Sequence, residues 1–155
     1  MNGNGQLYVM VGPPFTGKTH WIDTDGFEEA FPQMRPPAVI DPDRVRRALT
    51  GRFAVLNTTA AEDVLWANIV LMVRAMLLNG NNVILDTCNT RRFQRDKWRS
   101  FDPVYVVMDT PLKTALQWAK ESSRDDVERV IRKGFDSFDP VHISEGMQHR
   151  VTPSQ

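Results

Sequence analysis

The residues most suited to chemistry form a glycine-rich motif near the start of the chain, Gly12-Pro13-Pro14-Phe15-Thr16-Gly17-Lys18-Thr19. The motif has the pattern G-x-x-x-x-G-K-[ST], whose glycines let successive backbone N–H groups point into one cradle for phosphates. In such a loop Lys18 reaches the β- and γ-phosphates, and the Thr19 hydroxyl ligates Mg²⁺. The motif lies between an apolar run at 7–11 and a helix start, which is the context it requires. We therefore predict a site for a nucleoside triphosphate, with ATP and Mg²⁺ as cofactors, although the motif does not encode the base.

An acid and an arginine lie three residues apart after the second apolar run. Asp43 and Arg46 fall on the first turns of a helix that Asp41 and Pro42 predict, so their side chains share one face. Beside a γ-phosphate, Asp43 would accept a hydroxyl proton and Arg46 would grip an anionic acceptor. The alternative is a helix-start acid that pairs with a neighbouring arginine on a solvated face. The phosphate loop favours the catalytic interpretation.

Further polar residues are candidates for the same site. Asp86 ends the third apolar run, where a carboxylate can contact Mg²⁺ through water, orient the arginine, or simply cap the next turn. Lys120 and Arg124, four residues apart, would face the triphosphate as a lid that stabilises charge on the leaving phosphate. The alternative for this pair is a solvated basic turn among neighbouring acids.

The residue after Asp86 bears on how the phosphate loop is used. A motor ATPase usually carries a water-activating glutamate beside this aspartate, whereas this chain has Thr87. A chain of 155 residues also leaves little room for the extra helical domain of motor ATPases. We therefore expect phosphoryl transfer to a bound acceptor rather than ATP hydrolysis that drives motion.

The overall pattern predicts one α/β domain over residues 1–155. Strands are predicted at 7–11, 38–40, 83–86 and 104–108, and helices at 18–24, 42–49, 59–79, 90–99, 110–121 and 125–138. This alternation predicts a parallel sheet of four to five strands with helices on both faces. Residues 149–152 either add the fifth strand or belong to a loose tail at about 148–155.

The longest helix has clear end signals. Thr59 and Glu62 form a capping box at its start, and Gly80 ends it. Its predicted apolar face consists of Ala61, Leu65, Ile69, Met72 and Met76.

Composition excludes several classes of protein. The formal net charge is zero, so no global basic field attracts polyanions. Cys88 is the only cysteine and cannot form an internal disulfide, which indicates a reducing cytoplasm. The polar N-terminus lacks the features of a signal peptide, and no apolar stretch is long enough to span a bilayer. We expect a cytoplasmic protein without membrane association, whose oligomeric state the sequence does not determine.

Five segments, taken in order, resemble the motifs of one enzyme family. They are GPPFTGKT after a strand, IDPDRVR with the pattern D-x-x-R, VILDTCN at the third strand, KESSR before the last helix and VIRK within it. They resemble the motifs of the P-loop polynucleotide 5′-hydroxyl kinases of the phage and bacterial end-healing type, and this resemblance extends over about residues 6–147. The resemblance implies a P-loop kinase-like three-layer sandwich with a helical lid at about 119–127. It also implies Mg²⁺-dependent, in-line transfer of the ATP γ-phosphate to the 5′-hydroxyl of RNA or DNA, in nucleic acid repair.

The resemblance further implies roles for single residues. Asp43 matches the family's general base, and Arg46 matches the arginine that contacts the acceptor phosphate and the migrating group. Asp86 matches a strand-end acid of the acceptor pocket, whose motif also contains Thr87 and Asn89. Arg124 matches the lid arginine that contacts the donor phosphates.

The chain also departs from the family pattern. The first lid arginine is Lys120, whose ammonium is a point charge rather than a planar fork. Glu121 replaces the lid asparagine, and Cys88 is inserted between Thr87 and Asn89. These departures affect the substrate assignment more than the reaction assignment, because relatives in the same superfamily phosphorylate small molecules with the same core.

Two basic clusters and three aromatic residues are candidates for nucleic-acid contacts. The first cluster is Arg44, Arg46, Arg47 and Arg52, the second is Arg91, Arg92, Arg95, Lys97 and Arg99, and the aromatic residues are Trp66, Trp98 and Phe93. Together they would bind a single strand by phosphate contacts and base stacking near its 5′ end. The alternatives are core packing of Trp66 and a solvated basic face.

Two other functions stay open from the sequence. The first is a P-loop kinase of a small-molecule hydroxyl, on a nucleoside, sugar or antibiotic. The second is a non-catalytic nucleotide-binding ATPase or adaptor, which would bind ATP and be indifferent to Asp43→Asn. Asp43 with Arg46 discriminates among these functions, because both kinase interpretations need the pair and the adaptor needs neither residue.

Overall fold

The computed structural model describes residues 3–51 and 56–153, so Arg52 of the first basic cluster lies outside the described residues. Its strands are β1 (Leu7–Val11), β2 (Ala38–Ile40), β3 (Val83–Leu85), β4 (Val104–Met108) and β5 (Met147–Val151). Its helices are α1 (Lys18–Asp23), α2 (Gly26–Ala30), α3 (Pro42–Thr50), α4 (Thr59–Leu78), α5 (Arg92–Asp96), α6 (Leu112–Glu121) and α7 (Glu128–Asp136). Short 3₁₀ turns occupy Arg99–Phe101, Asp125–Val127 and Ile143–Glu145.

All five strands are parallel, in the order β2-β3-β1-β4-β5. β1 is central and fully buried, which explains why it is a continuous apolar run rather than an alternating one. Because parallel strands end at a common edge, the segments after β1, β2, β3 and β4 converge there. This arrangement confirms the predicted α/β fold with a parallel sheet, and the number of strands is five.

Each face of the sheet is covered by its own apolar cluster. Leu7, Val9 and Val11 project into a cluster that includes the buried face of α4 and Trp98. The intervening Tyr8 and Met10 project to the other face, against residues of α1 and α2. The period of two along β1 therefore separates the two helical layers.

Helix α4 begins differently from the prediction. Its N-cap is Thr58, whose side chain accepts a hydrogen bond from the Ala61 N–H at 3.1 Å, so the capping box predicted for Thr59 and Glu62 is wrong. The Glu62 carboxylate instead bonds to a neighbouring helix and to the Leu56 N–H. The predicted end at Gly80, which has φ +85°, is confirmed.

The buried face of α4 is rotated from the predicted one. Leu65, Ile69, Val73 and Leu77 are buried, whereas Met72 is 43% exposed. The helix carries apolar residues around most of its circumference, so its sequence alone could not select the face that meets the sheet.

The end of the described chain is ordered as a strand. β5 pairs with β4 over its whole length, from Val104↔Met147 to Met108↔Val151. A loose tail starting at residue 148 was therefore a wrong prediction for residues 148–151, and the fifth strand is present. The edge position of β5 leaves its side chains partly exposed, which weakened the sequence signal.

Three helix boundaries also differ from the prediction. The segment predicted as one helix at 90–99 is the short α5 followed by a 3₁₀ turn, and α7 follows another 3₁₀ turn. Thr110 is not the cap of α6, since its hydroxyl donates to the Thr16 carbonyl at 2.7 Å and Pro111 takes the cap position. Within the described residues, no helix has the length and apolar character needed to cross a membrane.

Candidate nucleotide and acceptor site

The glycine-rich motif forms a tight loop between β1 and α1. Gly17, the residue before α1, has φ +93°, and Phe15 has φ +60°. A Cβ atom on Gly12 would lie 2.7 Å from the Thr16 hydroxyl oxygen, which itself donates to the Pro13 carbonyl at 2.8 Å. Glycine is therefore required at position 12 by close packing and at position 17 by backbone conformation.

Lys18 lies over this loop and is 8% exposed. Its ammonium group donates to the carbonyls of Gly12 and Pro13 at 2.8 and 2.7 Å. An ammonium group has three N–H donors, so one remains for a phosphate oxygen. The loop therefore places a cation beside backbone N–H groups at the N-terminus of a helix, as a phosphate site requires.

The loop is braced by neighbouring strand ends. The Gly12 N–H donates to the Cys88 carbonyl at 2.9 Å, and the Asn89 side chain donates to the Met10 carbonyl at 3.2 Å. Asn89 is 4% exposed and has φ +45°. Asn89, predicted to lie in the acceptor pocket, thus braces the strand before the loop, while Thr87 stays partly exposed beside Asp86.

Thr19 and Asp86 meet as predicted for a metal site. The Thr19 hydroxyl donates to the Asp86 carboxylate at 3.3 Å. Burial raises the pKa of Asp86, and the nearby Asp41 raises it further, while Lys18 lowers it. A crowded carboxylate with a hydroxyl beside it suits a hard cation such as Mg²⁺. No cluster of three or more His, Cys, Asp or Glu that could hold a metal occurs among the described residues.

Asp43 and Arg46 contact each other on α3, and a third residue joins them. Arg46 Nη1 donates to Asp43 at 2.7 Å, while its Nε and Nη2 donate to Glu62 on α4, both at 2.9 Å. Asp43 is mostly exposed, whereas Arg46 is buried. The sequence analysis did not connect Glu62 with this pair, because its spacing after Thr59 indicated a capping box.

An aromatic ring adjoins this trio. Trp66 is half-buried, with the Arg46 guanidinium 5.9 Å and the Lys97 ammonium 4.0 Å from its ring centroid. Burial lowers the pKa of Lys97, and the nearby Asp63 counteracts this effect. Because cations already contact its ring, Trp66 is less available to a nucleobase than predicted.

The second basic cluster is only partly available to a ligand. Arg95 is fully buried and bonds to the buried Glu145, with Nε 2.9 Å from Oε1, and its Nη1 donates to the Asn89 carbonyl at 3.0 Å. Trp98 is fully buried as well. Arg95 as a phosphate contact and Trp98 as a stacking platform were therefore wrong predictions. Phe93 is 66% exposed and stays a candidate platform.

In the part of the chain that the structure describes, five arginines of the two basic clusters are exposed, and three of them lie near an acidic side chain. Arg44 contacts Asp41 at 3.5 Å, Arg91 contacts Asp139 at 3.2 Å, and Arg99 lies 3.9 Å from Asp96. Arg47 and Arg92 are also exposed.

The predicted lid lies next to the phosphate loop. The Arg124 guanidinium is 6.0 Å from the Phe15 ring centroid and 3.2 Å from Asp126, and it is about half exposed. Phe15 packs on an apolar cluster centred on Ala115, Ala119 and Ile131 of α6 and α7. Lys120 is exposed at the end of α6. Phe15 thus joins the phosphate loop to the two helices that flank the predicted lid, while the Lys120 and Arg124 side chains are exposed.

A cleft of about 1010 Å³ adjoins the loop on the lid side. Trp118, Thr152 and Pro153 line it together with Lys18 and Thr19. A Cβ atom on Gly17 would lie 3.4 Å from Trp118 and 3.7 Å from Pro153, so both residues reach the phosphate loop. Sequence reasoning missed both residues: Pro153 follows β5, whose signal was weak, and nothing in the sequence of α6 showed that Trp118 faces the loop.

The fold and the loop together define a P-loop protein with a kinase-like α/β domain. The family model for the AAA domain matches residues 7–141, and the chain belongs to this family. A search of the curated proteins finds no match.

Solved structures share the fold at low sequence identity. A chain of the Pnkp1/Rnl/Hen1 RNA repair complex is 18% identical over 88% of this chain and 47% of its own length, with a TM-score of 0.61. Shikimate kinase from Acinetobacter baumannii in complex with shikimate is 17% identical over 97% and 85% of the two chains, with a TM-score of 0.59. Kti12 from Chaetomium thermophilum in complex with ADP-AlF3 is 14% identical over 94% and 88%, with a TM-score of 0.66. The chain spans less than half of the repair-complex chains that it matches, 47% and 38%.

Proposed function

We propose that the protein transfers the γ-phosphate of ATP to the 5′-hydroxyl of a polynucleotide, RNA or DNA. The observation that carries the proposal is the Asp43 carboxylate, which is 65% exposed and held by Arg46 after β2. It lies at the sheet edge that also carries the phosphate loop. A base and a donor site at one edge are what direct phosphoryl transfer needs. The similarity to a chain of an RNA repair complex supports a nucleic acid as the acceptor.

Asp43 acts as the general base in this proposal. It accepts the proton of the attacking 5′-hydroxyl as the oxygen forms its bond to the γ-phosphorus. The bond between that phosphorus and the β–γ bridging oxygen breaks in line, and ADP leaves. The two Arg46 N–H groups that carboxylates do not occupy, one on each Nη, contact the migrating phosphoryl group or the acceptor phosphate.

Donor binding is divided among the loop, the lid and the cleft. The third N–H of Lys18 and the backbone N–H groups of the loop hold the β- and γ-phosphates. Arg124 and Lys120 close over them from the lid. Trp118 and Pro153 bind the nucleobase of ATP. Thr19 and Asp86 would hold Mg²⁺, which when bound neutralises charge on the β- and γ-phosphate oxygens.

The test is transfer of labelled γ-phosphate from ATP to short RNA and DNA strands with a free 5′-hydroxyl, run beside Asp43→Asn. We expect labelled strands from the wild type, and a loss of about 100-fold or more in Asp43→Asn with ATP binding kept. Asp96→Asn is a matched control, because Asp96 is also an exposed acid three residues before an arginine, 3.9 Å away. Near-normal transfer by Asp43→Asn would refute the general-base role.

A small-molecule hydroxyl is the second candidate acceptor. The burial of Arg95 and Trp98 shortens the basic and aromatic track that a strand would use. The fold is also that of shikimate kinase and a gluconokinase. Transfer to no strand, with transfer to a sugar, a nucleoside or shikimate that needs Asp43, would favour this candidate. ATP binding with slow turnover that is indifferent to Asp43→Asn would instead favour an adaptor.

A further inference from the structure

We propose that Glu62 is a positioning residue of the acceptor site, which fixes Arg46 and, through Arg46, the Asp43 carboxylate. This inference rests on the proposed function, because it assigns Asp43 the role of base. Glu62 lies on a different helix from Asp43 and Arg46, so the three residues link α3 to α4.

The geometry is that of a planar fork closed on a carboxylate. Two parallel hydrogen bonds of 2.9 Å join Arg46 Nε and Nη2 to the two oxygens of Glu62. Such a bidentate pair fixes the plane of the guanidinium as well as its position. The remaining Nη1 then points in one direction only, and there it donates to Asp43 at 2.7 Å.

The trio is exposed at the proposed general base and mostly buried at its other two members. The Asp43 side chain is 65% exposed, that of Arg46 8% and that of Glu62 13%. The exposed group can therefore meet a substrate, while the buried pair acts as a rigid support. A single exposed ion pair between residues three apart on a helix would not hold Asp43 in this way, since such pairs contribute little.

Glu62 is itself held in place. It accepts the Leu56 N–H at 2.7 Å, and the Trp66 side chain lies one turn further along the same helix beneath Arg46. The hydrogen bond from Arg46 lowers the pKa of Glu62, although its partial burial opposes the shift. Glu62 therefore stays charged at neutral pH, as support of a cation requires.

A double-mutant cycle in phosphoryl transfer tests this role. We expect Glu62→Gln to lower kcat by about 10- to 100-fold, because a base displaced by about 1 Å loses this much rate. The dissociation constant of ATP should change by less than about twofold, because the hydrogen-bond partners described for Glu62, Arg46 and the Leu56 N–H, lie outside the phosphate loop. In an Asp43→Asn background, Glu62→Gln should lower kcat by clearly less than it does in the wild type, since the part of its effect that passes through Asp43 is already lost.

Arg46→Lys provides a second variant, because lysine keeps the charge and cannot bridge both carboxylates. We expect it to lose at least as much kcat as Glu62→Gln, because Arg46 also contacts the phosphoryl group in the proposed function. Glu128→Gln is the matched control, since Glu128 also bonds to an arginine at 2.9 Å but on the exposed face of α7. This control should leave kcat and the ATP dissociation constant unchanged.

Each outcome decides between a positioning role and a purely structural one. Losses that multiply in the double variant, or a weakened ATP affinity in Glu62→Gln of the same size as the loss of kcat, would overturn the proposal. If the wild type phosphorylates none of the acceptors offered, the proposed function fails. The same cycle is then measured on ATP hydrolysis, in which water takes the place of the acceptor hydroxyl. The same non-additivity there would support the role of Glu62, and additive or absent effects would overturn it.

Discussion

The fully buried ion pair between Arg95 and Glu145 leads to a prediction about stability. Both side chains are 0% exposed, and Arg95 Nε lies 2.9 Å from Glu145 Oε1. Glu145→Gln keeps the size of the side chain and removes its charge. The guanidinium would then be buried without a counter-charge, which the protein cannot relieve by deprotonation because arginine stays charged.

The magnitude follows from this burial. Removal of one partner of a buried pair costs about 3 to 5 kcal/mol, a large share of the roughly 5 to 15 kcal/mol that stabilises a domain. For a chain of this length, about 1 kcal/mol corresponds to about 2 to 4 °C in Tm, so we expect a fall of about 6 to 20 °C. Urea unfolding, followed by the fluorescence of the tryptophans, measures the free energy of unfolding directly.

Two comparisons make this prediction specific. Glu128→Gln removes an acid from an exposed pair with the same 2.9 Å distance, and it should cost about 1 kcal/mol or less. The double variant Arg95→Met with Glu145→Met should regain part of the loss, because the isolated charge is gone. It should not regain all of it, since the Asn89 carbonyl and the His142 N–H lose their partners. A cost below about 1 kcal/mol for Glu145→Gln at pH 7 would refute the reasoning.

Further predictions concern the donor site and pH. Lys18→Ala should weaken ATP binding by at least about 10- to 100-fold, the worth of one charge-assisted hydrogen bond, as measured by calorimetry. Trp118→Ala should raise KM for ATP by roughly 5- to 100-fold if the ring stacks on the base, with kcat little changed. Asp86→Asn should raise the Tm of the ligand-free protein at pH 7, because burial raises the pKa of Asp86 and so penalises its charged form. The same variant should weaken Mg²⁺-dependent ATP binding. The pKa values of Glu62 and Glu145 lie below the usual 4.5 of a glutamate. Their contribution to stability is therefore complete above pH 4.5 and is lost as the pH falls through the lower folded-state values. Urea unfolding at a series of pH values from about 7 to about 3 would detect this loss.

Local signals were sufficient to place the residues of the proposed donor half of the site. The loop from Gly12 to Thr19 and the strand ends at Asp41 and Asp86 depend on neighbours in sequence, and parallel strands bring them to one edge. The pairing of Thr19 with Asp86 follows from that rule. The position of Lys18 could be predicted as well, because it also depends only on neighbouring residues of the motif.

The proposed acceptor half needed information that a sequence pattern does not contain. Glu62 lies 16 residues after Arg46, and its spacing after Thr59 fits a capping box equally well. Arg95 belongs to a run of basic residues, yet it is buried because Glu145, 50 residues later, supplies its counter-charge. An exposed basic residue can contact a ligand, whereas a buried one is occupied by its counter-charge, and no local sequence pattern distinguishes the two.

By itself, the sequence determined the phosphate loop, the alternation of strands and helices and the position of Asp43 in the first turn of the helix after β2, because each depends on short-range periodicity and turn chemistry. Only the tertiary structure decided which partner each charged side chain contacts and which face of α4 meets the sheet. It also decided that Trp118 and Pro153, 35 residues apart, meet beside Gly17. These choices depend on the packing of distant segments against one another, where small differences in burial select among partners that are equivalent in sequence.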